Sequence, residues 1–154
     1  MFLQSSLTKR FLLKVSELCR IILETELFVT VNRTRFEINR VRYPINLVVF
    51  EGKTKLGFFD PNFLQLGFNK NLMLVKDQNI LLNIIRHELA HYLCYIKFSN
   101  QITAHGPEYR QFCLEAGWGE DVYSRELNIS EEDVENVIWS NSKLVEKIKK
   151  LLAL

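Results

Sequence analysis

The sequence predicts a compact α+β domain. Two long segments with helical hydrophobic spacing bracket a group of short β-branched and aromatic runs, and turn residues separate those runs. With 154 residues, 47% of them hydrophobic, the chain has enough apolar material for one buried core.

From about Leu7 to Phe28 the residues Leu7, Phe11, Val15, Leu18, Ile22 and Leu23 recur at three- and four-residue steps, with Lys14, Glu17 and Arg20 between them. This is the pattern of an amphipathic helix. Pro44 precedes the run Ile45 to Phe50, which Glu51-Gly52-Lys53 closes, and two further short runs follow, Lys55 to Phe59 and Phe63 to Phe68, split by the turn Asp60-Pro61-Asn62. The middle of the chain is expected to form a small sheet of antiparallel type.

Asp77 is placed to cap a second long helix, in which Ile80, Leu81, Ile84, Ile85, Leu89, Tyr92 and Leu93 keep helical spacing to about Phe98. Gly106-Pro107 marks a third helix start, with proline at its first position, and Gly117 marks its stop. Ser130-Glu131-Glu132-Asp133 resembles a capping box and opens a fourth helix. A last one, from about Ser142, reaches Leu154 without a C-cap signal, as expected of a chain that continues. We divide the sequence into a domain over 1–125 and a helical extension over 126–154.

Bulk charge nominates no partner. Twenty Lys and Arg face 18 Asp and Glu, a net charge of +2, which sets the chain apart from dedicated nucleic-acid binders. The three cysteines, Cys19, Cys94 and Cys113, are widely spaced with no CxxC pair, the usage of a reducing compartment. Charges at Lys9, Arg10, Lys14, Glu17 and Arg20 interrupt any signal-type or membrane-spanning apolar run. A soluble cytoplasmic protein without membrane partners is expected.

The chemistry lies in His87-Glu88-Leu89-Ala90-His91, an HExxH sequence inside the strongest helical pattern. Residues four apart share a helix face with Cβ atoms about 6 Å apart, so both imidazoles can converge on one ion at Zn–N distances of about 2.0–2.1 Å. Glu88 is rotated by about 100° from His87. It can miss the metal and still reach a water beside it, the position of a general base.

Catalytic zinc takes a third protein ligand. His105 is the one remaining histidine, and the residues Ser99 to His105 can span up to roughly 23 Å, enough to return it to the ion. Glu108 and Glu115 stand as alternatives in a His/His/Glu site. Cys94, one turn beyond His91, is assigned to the core. A metzincin would place its third histidine where this chain has Lys97 and a glycine where it has Cys94, which excludes that subclass.

Two blocks, His87-Glu88-Leu89-Ala90-His91-Tyr92-Leu93 and, after a gap, His105-Gly106-Pro107-Glu108-Tyr109, resemble the SprT-like, or Spartan-like, zinc metallopeptidase family in order and approximate spacing. The resemblance covers roughly the first 120 residues. It includes Leu66-Gly67-Phe68-Asn69, where the family has its last strand before the active helix. It implies zinc at His87, His91 and His105, catalysis through Glu88, and cleavage of polypeptides, in the best-known members proteins crosslinked to DNA. Many bacterial members end in a four-cysteine ribbon, whereas no cysteine follows Cys113 here, and Tyr109 stands where Trp or Phe is frequent. The stretch Lys143 to Leu152 is similar to the opening of a helical module that follows SprT-like domains in some bacterial proteins. It equally fits a basic amphipathic surface helix.

The expected architecture is therefore zincin-like, with the N-terminal helix and the small sheet packed on the active-site helix. The expected reaction is zinc-dependent peptide-bond hydrolysis, with DNA as a further partner. The competing class is a non-catalytic, metal-stabilised binding module in a DNA-repair or transcription-associated assembly, which has no use for Glu88 beside the ion.

Overall fold

The computed structural model describes residues 2–124; the helices expected from Ser130 and Ser142 lie outside the described residues. The first helix, α1 (Phe2–Thr25), buries Phe11, Val15, Cys19, Ile22 and Leu23 along one stripe, as the spacing predicts. It ends three residues before the expected Phe28. The amides of Glu26 and Leu27 both donate to the Ile22 carbonyl, at 2.9 and 3.1 Å, and Phe28 turns to φ 55° with its ring 86% exposed.

An antiparallel meander follows: β1 (Thr30–Asn32), β2 (Arg35–Ile38) and β3 (Val41–Pro44). Sequence spacing gave no expectation here, because arginines at 33, 35, 40 and 42 dilute the apolar alternation. The register aligns Val31, Phe36 and Tyr43 on one side. Phe36 is buried and meets Tyr92 edge-on at 5.1 Å, while Tyr43 stacks on Phe36 at 5.6 Å. The β2–β3 turn is carried by Asn39 and Arg40, both at left-handed φ (50° and 66°), the geometry that suits the twist of a two-residue hairpin.

The second sheet holds β4 (Asn46–Phe50), β5 (Gly57–Asp60) and β6 (Gln65–Asn69), and it corrects the expected antiparallel pairing. The strand order is β4-β6-β5: β5 and β6 are antiparallel, but β4 runs parallel to β6. The loop after β4 must therefore cross the end of β6 to reach the outer position. Buried Asn69 fastens that crossing, its Nδ2 donating to the carbonyls of Gly52 (2.9 Å) and Lys55 (2.8 Å). The amide of Asn69 donates to Leu56 O at 2.9 Å.

A 3₁₀ turn over Lys70–Leu74 leads to α2 (Gln78–Phe98), where an Asp77 carboxylate oxygen accepts from the Asn79 amide at 2.9 Å, as anticipated for its cap. Leu81, Ile84, Ile85 and Leu89 of α2 share the core with Leu66 and Phe68 of β6 and the buried stripe of α1. The last elements are α3 (Pro107–Glu115), closed by Gly117 at φ 81°, and the short α4 (Glu120–Tyr123). Glu26 joins three parts of the chain: Arg86 donates to both its oxygens (2.8 and 3.1 Å) and Trp118 Nε1 donates to one (2.8 Å). Burial alone would raise the Glu26 pKa, but these bonds outweigh it and hold the carboxyl below its ordinary range. No helix among the described residues is long and apolar enough to cross a membrane.

Candidate metal centre

His87 and His91 project from one face of α2, and His105 returns to them from the loop that precedes α3. Their Nε2 atoms form a triangle with edges of 3.3, 2.9 and 3.1 Å. Tetrahedral ligands about 2.0–2.1 Å from an ion lie about 3.3–3.4 Å from one another, so this triangle is within a few tenths of an ångström of a metal's requirement.

The protonation pattern fits the same reading. His87 Nδ1 lies 2.6 Å from the carbonyl oxygen of Val122, which can only accept, so the proton sits on Nδ1 and the Nε2 lone pair is bare. Burial, and then the neighbouring His87 and His105, push the His91 pKa down to about 3; burial also lowers that of His87. Neutral imidazoles aimed at one point are the donor set a cation completes. Among the described residues these three histidines form the cluster able to hold a metal ion. Glu108 and Glu115 are exposed on α3 and stand apart from it.

Local backbone chemistry brings His105 in. The residue adopts φ 61°, a left-handed conformation that histidine tolerates better than bulkier residues, and the Gly106 amide donates to Thr103 O at 3.0 Å. A Cβ at position 106 would sit 2.9 Å from that same oxygen, so the tight turn requires glycine. Pro107 then starts α3 directly behind the ligand.

Tyr109 braces the cluster from behind. Its buried hydroxyl donates to the His87 carbonyl at 2.9 Å, and its ring stacks on His91 at 4.4 Å. Burial holds its phenol protonated far above the usual range. Sequence reading placed Tyr109 near the site without this role, and it missed Val122, whose contribution is a carbonyl that any residue carries. Cys94 is buried at the cleft wall, its thiol pushed up to about 11 by burial, and it takes no part in the cluster.

Glu88 is 4% exposed and lies under β5. A Cβ on Gly57 would come within 3.1 Å of both Glu88 Cγ and Oε1, so the absence of a side chain there lets the strand pass directly over the carboxylate. Burial pushes the Glu88 carboxyl up to about 8, against a smaller lowering by Lys55. This has a consequence for the metal-free protein. Its folded form holds the Glu88 proton more tightly than the unfolded chain, so the group's contribution to stability falls as pH rises from about 4.5 toward about 8. In chelator-treated protein, the melting-temperature difference between Glu88→Gln and wild type is expected to move in the variant's favour between about pH 5 and about pH 8. A difference independent of pH would show that the carboxyl is not held in its neutral form.

The triad and Glu88 open onto a cleft of about 770 Å³, whose rim includes Lys55, Gly57, Phe58 and Phe59 on one side and Tyr95, Asn100 and Ile102 on the other. Helix, triad and cleft define a candidate metal site with a buried carboxylate beside it. The chain belongs to the SprT-like family, whose sequence model matches residues 24–132. No curated protein matches it significantly. Among solved structures it is similar to the crystal structure of the metallopeptidase zymogen of Methanocaldococcus jannaschii jannalysin, at 21% identity and a TM-score of 0.45, covering 87% of this chain and 96% of that one.

Proposed function

We propose that the protein is a zinc-dependent metallopeptidase in which His87, His91 and His105 hold the ion and Glu88 is the general base. The observation that carries this reading is the convergence of three Nε2 atoms within 3.3 Å of one another, next to a buried carboxylate on the same cleft. Zinc held there supplies polarisation of the scissile carbonyl and a water acidified toward a pKa of about 7. Glu88 accepts a proton from water on a carboxylate oxygen and returns it to the leaving amine nitrogen. Tyr109 and the Val122 carbonyl hold the imidazoles in place. The outer edge of β5 is unpaired among the described residues and borders the cleft, which suits an extended polypeptide added as a further strand. A purely structural metal site has no need of a buried carboxylate beside it, and this speaks against the non-catalytic module.

DNA-associated proteins are the substrates within this proposal, in a cytoplasmic setting. Support for DNA comes from the meander: Arg33, Arg35, Arg40 and Arg42 are exposed, and none forms an ion pair among the described residues. Support for a reducing compartment comes from three buried, free cysteines. Elemental analysis, combined with casein or histone cleavage with and without DNA, tests the whole reading. If those four arginines contact duplex phosphates, the log–log dependence of affinity on salt should have a slope of about −3.6, measured by fluorescence anisotropy between about 50 and 200 mM salt. No binding at the lower salt, with cleavage indifferent to DNA, would remove DNA and leave a plain metallopeptidase.

A further inference from the structure

The cleft rim carries a charged group to which the proposed reaction gives no direct part. Lys55 and Glu88 are the charged side chains lining the cleft apart from the histidines, and Glu88 is committed to proton transfer in the reading above. Lys55 is exposed and forms no ion pair among the described residues; the nearby Glu51 is engaged by Lys70 at 3.2 Å.

The position of Lys55 is built rather than incidental. Its backbone carbonyl is pinned by the buried Asn69 Nδ2 at 2.8 Å, and its ammonium lies 5.2 Å from the centroid of the Phe58 ring, a cation–π seat. That ring has a prepared place. It lies across Gly67, where a Cβ would come within 2.0 Å of a ring carbon, and it packs on Phe50 at 5.2 Å. Asn69 and Gly67, two residues apart on β6, thus fix the backbone and the aromatic platform together.

Strand geometry sets this group at the cleft rim rather than among the histidines, although its charge still reaches Glu88. Gly57 and Phe59 face α2, as their approaches to Glu88 and to Tyr92 show, so Phe58 between them projects to the other side of the sheet. The ammonium on its ring therefore stands at the rim. An extended polypeptide beside β5 presents alternate side chains to the α2 side and to this outer side.

We propose that Lys55, seated on Phe58, is a subsite that selects an acidic side chain of the polypeptide substrate within a few residues of the bond to be cut. The subsite rests on the polypeptide-hydrolysis reading. An aspartate or glutamate there meets a cation already held in place, whereas a lysine meets like charge at a pinned position.

The test uses matched fluorogenic peptides carrying Glu, Gln or Lys at each flanking position. The wild-type protein should favour the Glu peptide over the Gln peptide by about fivefold, through KM rather than kcat, with the preference shrinking as salt rises. Lys55→Arg should keep the preference, Lys55→Met should remove it, and Lys55→Glu should move it to the Lys peptide. An unchanged preference in Lys55→Met, or a loss confined to kcat, overturns the subsite. Binding of the same peptides to Glu88→Gln protein, followed by anisotropy, separates the two readings. Lys55-dependent discrimination in binding without any wild-type cleavage keeps the subsite and removes hydrolysis; cleavage without discrimination does the reverse.

Discussion

Glu88→Gln is expected to lower peptide hydrolysis by about 10²–10⁴-fold while leaving metal content unchanged. The amide is close in size to the carboxylate, so the fit beneath Gly57 is kept, yet it cannot take a proton from water. The replacement leaves the three Nε2 atoms and the Nδ1–Val122 bond in place. Turnover of a casein substrate, with metal content measured on the same preparation, checks both halves. Hydrolysis near the wild-type rate would remove Glu88 from the role of base. Loss of metal together with activity would make it a ligand or a structural partner instead.

His87→Ala and His91→Ala are each expected to lower metal affinity by more than the roughly 10–100-fold that loss of an outer-shell partner costs, because only two imidazoles then remain. His105→Ala should follow the same course, whereas Glu108→Ala and Glu115→Ala should leave affinity at the wild-type value. Chelator competition on purified variants measures this directly. Wild-type metal content in both helix variants would show that the triangle is a packing arrangement. A Glu115→Ala variant that lost the ion while His105→Ala kept it would make the site His/His/Glu.

Legibility in the sequence followed the range of the interactions. His87 and His91 announce themselves because a four-residue interval on a helix has a single geometric meaning, and Asp77 and Pro107 mark helix starts by the same local logic. His105 was accessible because the chain has three histidines and a loop long enough to return the last one. The β runs at 46–50, 57–60 and 65–69 could be read approximately, but their pairing could not. Whether β4 meets β5 or β6 depends on a crossing loop held by Asn69, and a single asparagine in a strand carries no such message. The meander over 30–44 escaped because its outward arginines interrupt the apolar pattern while its inner face needs only Val31, Phe36 and Tyr43. Gly57 and Val122 act through an absent side chain and a backbone carbonyl, which are outside the reach of residue-type reasoning.

The bond from His87 to Val122 also makes metal loading a matter of chain order. Four residues of α4 are too few to persist as an isolated helix, so the segment depends on the buried Val122 side chain and on its carbonyl partner. An ion that fixes the His87 ring thereby favours the ordered state of this segment, and by thermodynamic reciprocity anything that loosens the segment weakens the hold on the ion by the same factor. The amides of Tyr123 and Ser124, which donate to Gly119 O and Glu120 O, should therefore exchange hydrogen faster after chelation than those at the centre of α2. The ion thus serves as a fastener for the segment over Glu120–Tyr123.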